Sequence, residues 1–142
     1  MKVLYTAHAT ATGGRNGRVR TDDGKLDLAL AMPTQMGGTG EGTNPEQLFA
    51  AGYSACFHSA LMFVAHQTKV DAGGSTVSGD VAIGPRDGAP GFQLGVALTV
   101  RLPNLAQAAA DDLVQAAHAV CPYSNATRGN IDVAFTVIGK EG

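Results

Sequence analysis

Between Leu48 and Ala65 the chain runs without a single charged side chain, and the hydrophobic spacing on either side of that run has a different character. Upstream, residues 3–12 open with the apolar/polar alternation of a strand. Gly13-Gly14 marks a turn, and 15–20 followed by 25–31 complete a meander. The loop from Pro33 to Thr43 carries Gly37, Gly38, Gly40 and Gly42, so its backbone has access to shapes closed to other residues. Asn44 has the chemistry of a helix N-cap, with Pro45 at the first helical position and Gln47 three residues on as its capping-box partner. A helix is therefore predicted from there to about Gln67. Downstream, 75–83 and 92–101 predict a hairpin across Pro85-Arg86-Asp87-Gly88. A second helix follows Pro103-Asn104 and runs to Val120, and a last strand covers 131–139. Strands, helix, strands, helix, strand is the order of an α+β fold, with two groups of antiparallel strands.

The uncharged run is long enough to cross a bilayer. Ser54, His58 and Ser59 interrupt it, basic and aromatic anchors do not flank both ends, and no second segment resembles it. A helix that is apolar nearly all round is otherwise a central core helix. In so short a chain one sheet cannot cover it. An intertwined homodimer is predicted, with both central helices sandwiched between the subunits' sheets.

Length and charge narrow the class further. The 142 residues predict a single domain over 1–142, burying roughly 68–70% of the unfolded surface without disulfide staples. Two cysteines are too few for a secreted disulfide framework, and the opening Met1-Lys2-Val3-Leu4-Tyr5-Thr6-Ala7-His8 lacks the apolar core of a signal peptide. A cytoplasmic protein is expected. A formal net charge of -2 and a pI near 6.0 provide no basic stripe for nucleic acid or for an anionic membrane.

The chemistry concentrates in the two cysteines. Cys56 lies inside the apolar helix, where its thiol is sheltered from water and needs a nearby cation to ionise. Cys121 ends the second helix and precedes Pro122, and the residue before proline is pushed out of the helical region. At that helix C-terminus the negative end of the macrodipole disfavours a thiolate. Cys56 is thus the predicted attacking thiol, and Cys121 the one that later closes a disulfide on it.

Arg15, at the turn after Gly13-Gly14, is the first candidate for the activating charge, since guanidinium stays protonated at any working pH. A solvated hairpin arginine is the alternative, and Arg18, Arg20 and Arg128 are rivals that spacing does not separate from it. Glu46, in the first turn of the helix that carries Cys56, either favours the helix N-terminus or clamps Arg15 in a bidentate pair. Ten residues of continuous helix put about 15 Å between Glu46 and Cys56. A short relay along one straight helix therefore requires Arg15 to span much of that gap. Otherwise the helix breaks near Gly52 or the groups act across a subunit interface.

Four histidines invite a metal or a Cys-His hydrolase. His118 and Cys121 share a helical spacing and Cys56 with His58 adds two more groups, but no CxxC or HxxxH occurs. His58 stands on another side of the helix from Cys56, and nothing pairs a base with the nucleophile. Neither a metal site nor a cofactor is expected, and His118 reads as a residue favourable to the last helical turn.

Three stretches carry a specific resemblance. They are Tyr5-Thr6-Ala7 with Thr10-Ala11-Thr12-Gly13-Gly14-Arg15, the run from Gly42 to Phe57 around Asn44-Pro45-Glu46-Gln47-Leu48 and Tyr53-Ser54-Ala55-Cys56, and Cys121-Pro122-Tyr123-Ser124-Asn125-Ala126-Thr127-Arg128-Gly129-Asn130-Ile131. Collinear and covering essentially the whole chain, they resemble the organic hydroperoxide resistance proteins of the OsmC superfamily. The resemblance implies a thiol peroxidase that reduces organic hydroperoxides, fatty-acid hydroperoxides included, to alcohols. Cys56 matches the peroxidatic cysteine, Cys121 the resolving one, Arg15 the arginine that stabilises the thiolate, and Glu46 its carboxylate partner. It also implies an α+β intertwined homodimer with active sites at the interface, and a lipoyl dithiol on a protein carrier as reductant in preference to glutathione.

An apolar surround to which Met36, Phe49, Phe57 and Tyr123 contribute is expected to favour alkyl chains over hydrogen peroxide, which has no apolar surface to bury. For Phe49 ordinary core packing is the stronger expectation. A stress-type OsmC sibling with another peroxide preference, and a redox-sensing module that turns over once, are the alternatives.

Overall fold

The two glycines of the first turn both take positive φ, 71° at Gly13 and 57° at Gly14, a conformation that only glycine adopts without strain. They connect β1 (Ala9–Thr12) to β2 (Arg18–Thr21) through a 3-10 turn at Gly14–Asn16, and β3 (Asp27–Ala29) follows. In the computed structural model, which describes residues 1–141, these strands form an antiparallel sheet of order β1-β2-β3 within a first compact unit, Met1 to Leu48. The register pairs Ala9 with Thr21 and Arg18 with Ala29. The strand expected from residue 3 begins only at Ala9. Its upstream apolar side chains are uncovered, Leu4 at 91% exposure and Tyr5 at 81%, so that stretch gains no buried face, and the backbone pairing ends at the His8 carbonyl, which accepts the Asp22 N–H at 3.2 Å.

Helix α1 (Pro45–Thr68) starts where the N-cap was expected, with Asn44 Oδ1 accepting the Gln47 backbone N–H at 2.9 Å. The reciprocal half of the capping box does not form, because Gln47 Oε1 accepts instead from the Thr43 hydroxyl at 2.8 Å. The helix continues through Gly52 without a break. Beyond Thr68, Lys69 takes φ 57° and the Val70 N–H closes on the Ala65 carbonyl at 2.9 Å, a left-handed terminator that usually falls to glycine.

The second compact unit, from Phe49 onward, holds β4 (Thr76–Pro85), β5 (Phe92–Arg101), α2 (Gln107–Val120), α3 (Pro122–Thr127) and β6 (Val133–Ile138). β4 and β5 form the expected antiparallel hairpin, in register from Thr76 opposite Arg101 to Pro85 opposite Phe92. β6 corrects the expectation of purely antiparallel sheets, because it pairs with β5 in parallel from Val96/Val133 to Arg101/Ile138. A parallel pair needs a long crossover, and α2 with α3 supplies it.

One face of α1 joins this unit's core. Tyr53, Phe57 and Leu61 are fully buried with Val100 of β5 and Val114 and Ala117 of α2. Complete burial stabilises each large apolar side chain among them by about 1.5–3 kcal/mol. By length and composition α1 could cross a membrane, and here its buried face serves as a core helix. Its outer stripe, Ala51, Ala55, Ser59, Met62 and Phe63, is exposed and uncharged, with Met62 at 45% and Phe63 at 58%.

Candidate active site

Cys56 and Cys121 stand 65 residues apart in sequence and meet in the second unit, Sγ to Sγ at 3.7 Å, both as free thiols. Cys56 sits half-buried in mid-helix on α1, while Cys121 is fully buried at the joint between α2 and α3. As the pre-proline position requires, Cys121 is extended, with φ -65° and ψ 123°. Its N–H still closes α2 on the Ala117 carbonyl at 2.9 Å. The same residue caps the next helix, with Cys121 Sγ accepting the Ser124 backbone N–H at 3.5 Å and Pro122 in the first helical turn. Cys121 sits at the C-terminus of α2 as expected, and its sulfur also accepts an N–H from the first turn of α3.

Burial pushes the Cys56 thiol up from its ordinary value, and the Tyr123 backbone N–H works against that shift. Cys121 adds to the upward shift, both through its hydrogen bond to Cys56 Sγ and through its charge. Of these influences on Cys56, desolvation is the largest. A nearby positive charge would offset that desolvation and favour the Cys56 thiolate.

In the first unit Arg15 and Glu46 form the bidentate pair that the sequence allowed. Nη1 donates to Oε2 at 2.8 Å and Nη2 to Oε1 at 2.7 Å. The Glu46 side chain is only 13% exposed, and the hydrogen-bonded guanidinium holds its carboxyl below the usual carboxylate range. A fork locked in this way costs little further entropy when it engages a second anion. The four site residues thus fall into two pairs, one in each compact unit.

Two rival cations are occupied elsewhere. Arg18 Nε donates to Asp27 at 2.6 Å. Arg128 donates through Nη2 to the His118 carbonyl at 2.7 Å and through Nη1 to Asn125 at 2.6 Å. Arg128 is therefore the cation at the end of α2. His118, expected to favour that helix end, is instead held below the ordinary histidine range by burial and by Arg128, and packs edge-on against Phe135 at 4.9 Å. His58 is engaged with the Ser75 hydroxyl at 3.0 Å. Among the described residues no group of three or more His, Cys, Asp or Glu side chains is placed to hold a metal ion.

The family described as OsmC-like protein matches residues 38–136, a span that includes both cysteines and Glu46. The organic hydroperoxide resistance protein of Xanthomonas axonopodis pv. citri is 54% identical over 138 residues, 96% of this chain and 96% of that protein. The chain belongs to the OsmC/Ohr family. The crystal structure of an organic hydroperoxide resistance protein from Legionella pneumophila superposes with a TM-score of 0.92 at 51% identity, covering 96% of this chain and 99% of the other. Another, from Elizabethkingia anophelis with thiocyanate bound, gives 0.93 at 50% identity over 99% and 100% of the two chains. The α+β architecture expected from the sequence is thus the OsmC/Ohr fold.

Three features of this OsmC/Ohr chain escaped the sequence reading. The short helix α3 carries Ser124 and Thr127 on the face that Cys121 begins, a spacing of three that was visible but unread. The buried Tyr53 hydroxyl reaches Ser124 Oγ at 2.9 Å and Thr127 Oγ1 at 3.1 Å. Tyr123 lies over α1 at Gly52, where a Cβ would stand 3.2 Å from its hydroxyl. It clusters there with Phe49 and Tyr53 at ring separations of 6.3 and 5.7 Å. Phe57, grouped with the apolar surround, is instead a fully buried core residue whose ring lies tilted against Phe135 at 5.3 Å.

Proposed function

We propose that this OsmC/Ohr protein is a thiol peroxidase that reduces organic hydroperoxides, alkyl and fatty-acid, to alcohols in the cytoplasm, with residues 1–142 acting as one functional domain. The observation that carries this reading is the 3.7 Å approach of two free cysteine sulfurs drawn from distant parts of the sequence. Cys56 thiolate attacks the distal oxygen of the hydroperoxide. The O–O bond breaks, the alkoxide leaves and is protonated to the alcohol, and Cys56 becomes a sulfenic acid. Cys121 then attacks that sulfur. An S–S bond forms, the S–O bond breaks, and the hydroxyl leaves as water. A lipoyl dithiol on a carrier protein reopens the disulfide by exchange and supplies the two electrons.

Arg15 is the group that stabilises the thiolate and the departing alkoxide, and Glu46 orients it. With α1 unbroken at Gly52, we assign the action of this pair on Cys56 to the subunit interface of a homodimer, against the alternative in which Arg15 spans much of the about 15 Å along the helix. The uncharged outer stripe of α1 supports the same assembly, since a soluble monomer rarely leaves an apolar patch beyond a few hundred Å² uncovered. Tyr123, exposed on the sulfur-bearing side of α1 and backed by the half-buried Phe49 that packs against the core, is suited to receive an alkyl chain.

Steady-state reduction of tert-butyl hydroperoxide is expected to proceed with dihydrolipoamide and to be negligible with glutathione. Faster consumption of hydrogen peroxide than of the alkyl hydroperoxide would indicate the stress-type OsmC preference. A single turnover that dihydrolipoamide does not sustain would indicate a redox-sensing module.

A further inference from the structure

Two faces with a repeat of three meet beside the sulfurs. On α1, Tyr53 and Cys56 are three residues apart and share a side; on α3, Cys121, Ser124 and Thr127 do the same. Cys56 faces Cys121 at one end of this seam. One helical turn away, the Tyr53 hydroxyl lies between Ser124 Oγ and Thr127 Oγ1. Tyr53 and Ser124 are fully buried and Thr127 is 5% exposed, so no solvent competes for these bonds. Ser124 belongs to both ends, with its hydroxyl on Tyr53 and its backbone N–H on Cys121 Sγ at 3.5 Å. Thr127 adds a bond from its hydroxyl to the Ser124 carbonyl at 3.2 Å.

A core that needed only to be filled would be served as well by phenylalanine, valine and alanine. Buried hydroxyls are directional, and a network with every member satisfied fixes one arrangement of the elements that it joins. The arrangement fixed here is the seat of α3 on α1, which sets the distance between the sulfurs. Disulfide closure must bring them from 3.7 Å to about 2.05 Å, a travel too small to require unfolding of α3 and large enough to be sensitive to a shift in its seat.

We propose that Tyr53, through Ser124 and Thr127, is a positioning residue for the resolving step: it latches α3 to α1 so that Cys121 stands ready to attack the Cys56 sulfenic acid. This rests on the assignment of Cys56 as peroxidatic and Cys121 as resolving. In that step the Cys121 sulfur displaces hydroxide from Cys56 Sγ, the thiol proton leaves with it as water, and the two-electron oxidation already made by the hydroperoxide is conserved as the disulfide. A slow resolving step leaves the sulfenic acid exposed to a second hydroperoxide molecule, which oxidises it to sulfinic acid.

The test uses the full-length chain in a single turnover with one equivalent of tert-butyl hydroperoxide. Loss of the Cys56 thiol and appearance of the Cys56–Cys121 disulfide are followed separately by quenched-flow mass spectrometry. Tyr53→Phe is expected to leave the first rate within about twofold of the parent and to slow disulfide closure by at least about tenfold, since displacements near 1 Å carry penalties of that order or more. Sulfinic acid at Cys56 should then accumulate at lower peroxide excess. Ser124→Ala, which removes the same contact from the α3 side, is the second arm should Tyr53→Phe not fold by circular dichroism, and Thr127→Ser, which keeps its hydroxyl, should close at the parental rate. Unchanged closure in a folded Tyr53→Phe or Ser124→Ala protein overturns the latch. A parent protein that consumes peroxide without forming the Cys56–Cys121 disulfide overturns the assignment of the two thiols instead.

Discussion

Cys56→Ser is expected to abolish hydroperoxide consumption, while Cys121→Ser should still react once and stop. The inequality follows from where each thiol sits. Cys56 is half-buried on α1 with the Tyr123 N–H directed at its sulfur, so a hydroperoxide can approach it and a developing charge has a donor. Cys121 is fully enclosed, capping α3, and a buried thiol out of reach of substrate acts only on a sulfur already beside it. In Cys121→Ser the oxidised Cys56 has no resolving partner, so it should be trapped by dimedone as sulfenic acid or pass to sulfinic acid. Quantitative thiol titration after one equivalent of peroxide separates the cases. Equal loss of the first oxidation in both variants would contradict the division of roles.

Arg15→Ala should raise the Cys56 pKa and slow peroxide attack by at least about tenfold, roughly 1.4 kcal/mol in the barrier. The sign follows from the burial that already pushes Cys56 up. Removal of a cation that favours the thiolate leaves desolvation opposed only by the Tyr123 backbone N–H, so the pH profile of thiol reactivity should move to higher pH. Glu46→Ala should shift it the same way by less, because the guanidinium keeps its charge and loses only its orientation. The proposed delivery across a dimer interface makes a further demand. An inactive Cys56→Ser chain mixed with a weakened Arg15→Ala chain should regain activity, because each mixed dimer joins an intact Arg15 to an intact Cys56. With random exchange about half the dimers are mixed and one site in each is complete, giving roughly a quarter of parental activity. No gain on mixing would mean that both groups act from one chain.

Much of the fold was legible because strong local signals agreed with tertiary demands. Asn44-Pro45 began α1 and the hairpin of β4 and β5 was flanked by its turn residues, since capping and turn chemistry act over a few residues. The parallel pairing of β6 was not legible. Strand direction is decided by what the intervening helices can span, and a hydrophobic pattern of period two reads the same either way. α3 was missed because six residues are too few to show a periodicity, although Pro122 and the threes from Cys121 to Thr127 mark it in retrospect. The capping box failed at Gln47 through competition from the Thr43 hydroxyl, a choice between two donors of similar reach. Of the site, residue types pointed to both cysteines and to the Arg15–Glu46 pair. The contact of the two sulfurs and the Tyr53 hydroxyl network depend on how α3 seats against α1, and no local pattern encodes that.

Whether Cys56 and Cys121 form one redox couple driven by organic hydroperoxide is decided by oxidising the reduced parent protein with one equivalent of tert-butyl hydroperoxide under denaturing quench, then mapping the non-reduced peptides by mass spectrometry. The expected result is a single product in which the Cys56 and Cys121 peptides are linked within one chain, one equivalent of alcohol is released, and dihydrolipoamide restores both thiols. Oxidation that stops at Cys56 with Cys121 still free, or disulfides formed only between chains, would contradict the account.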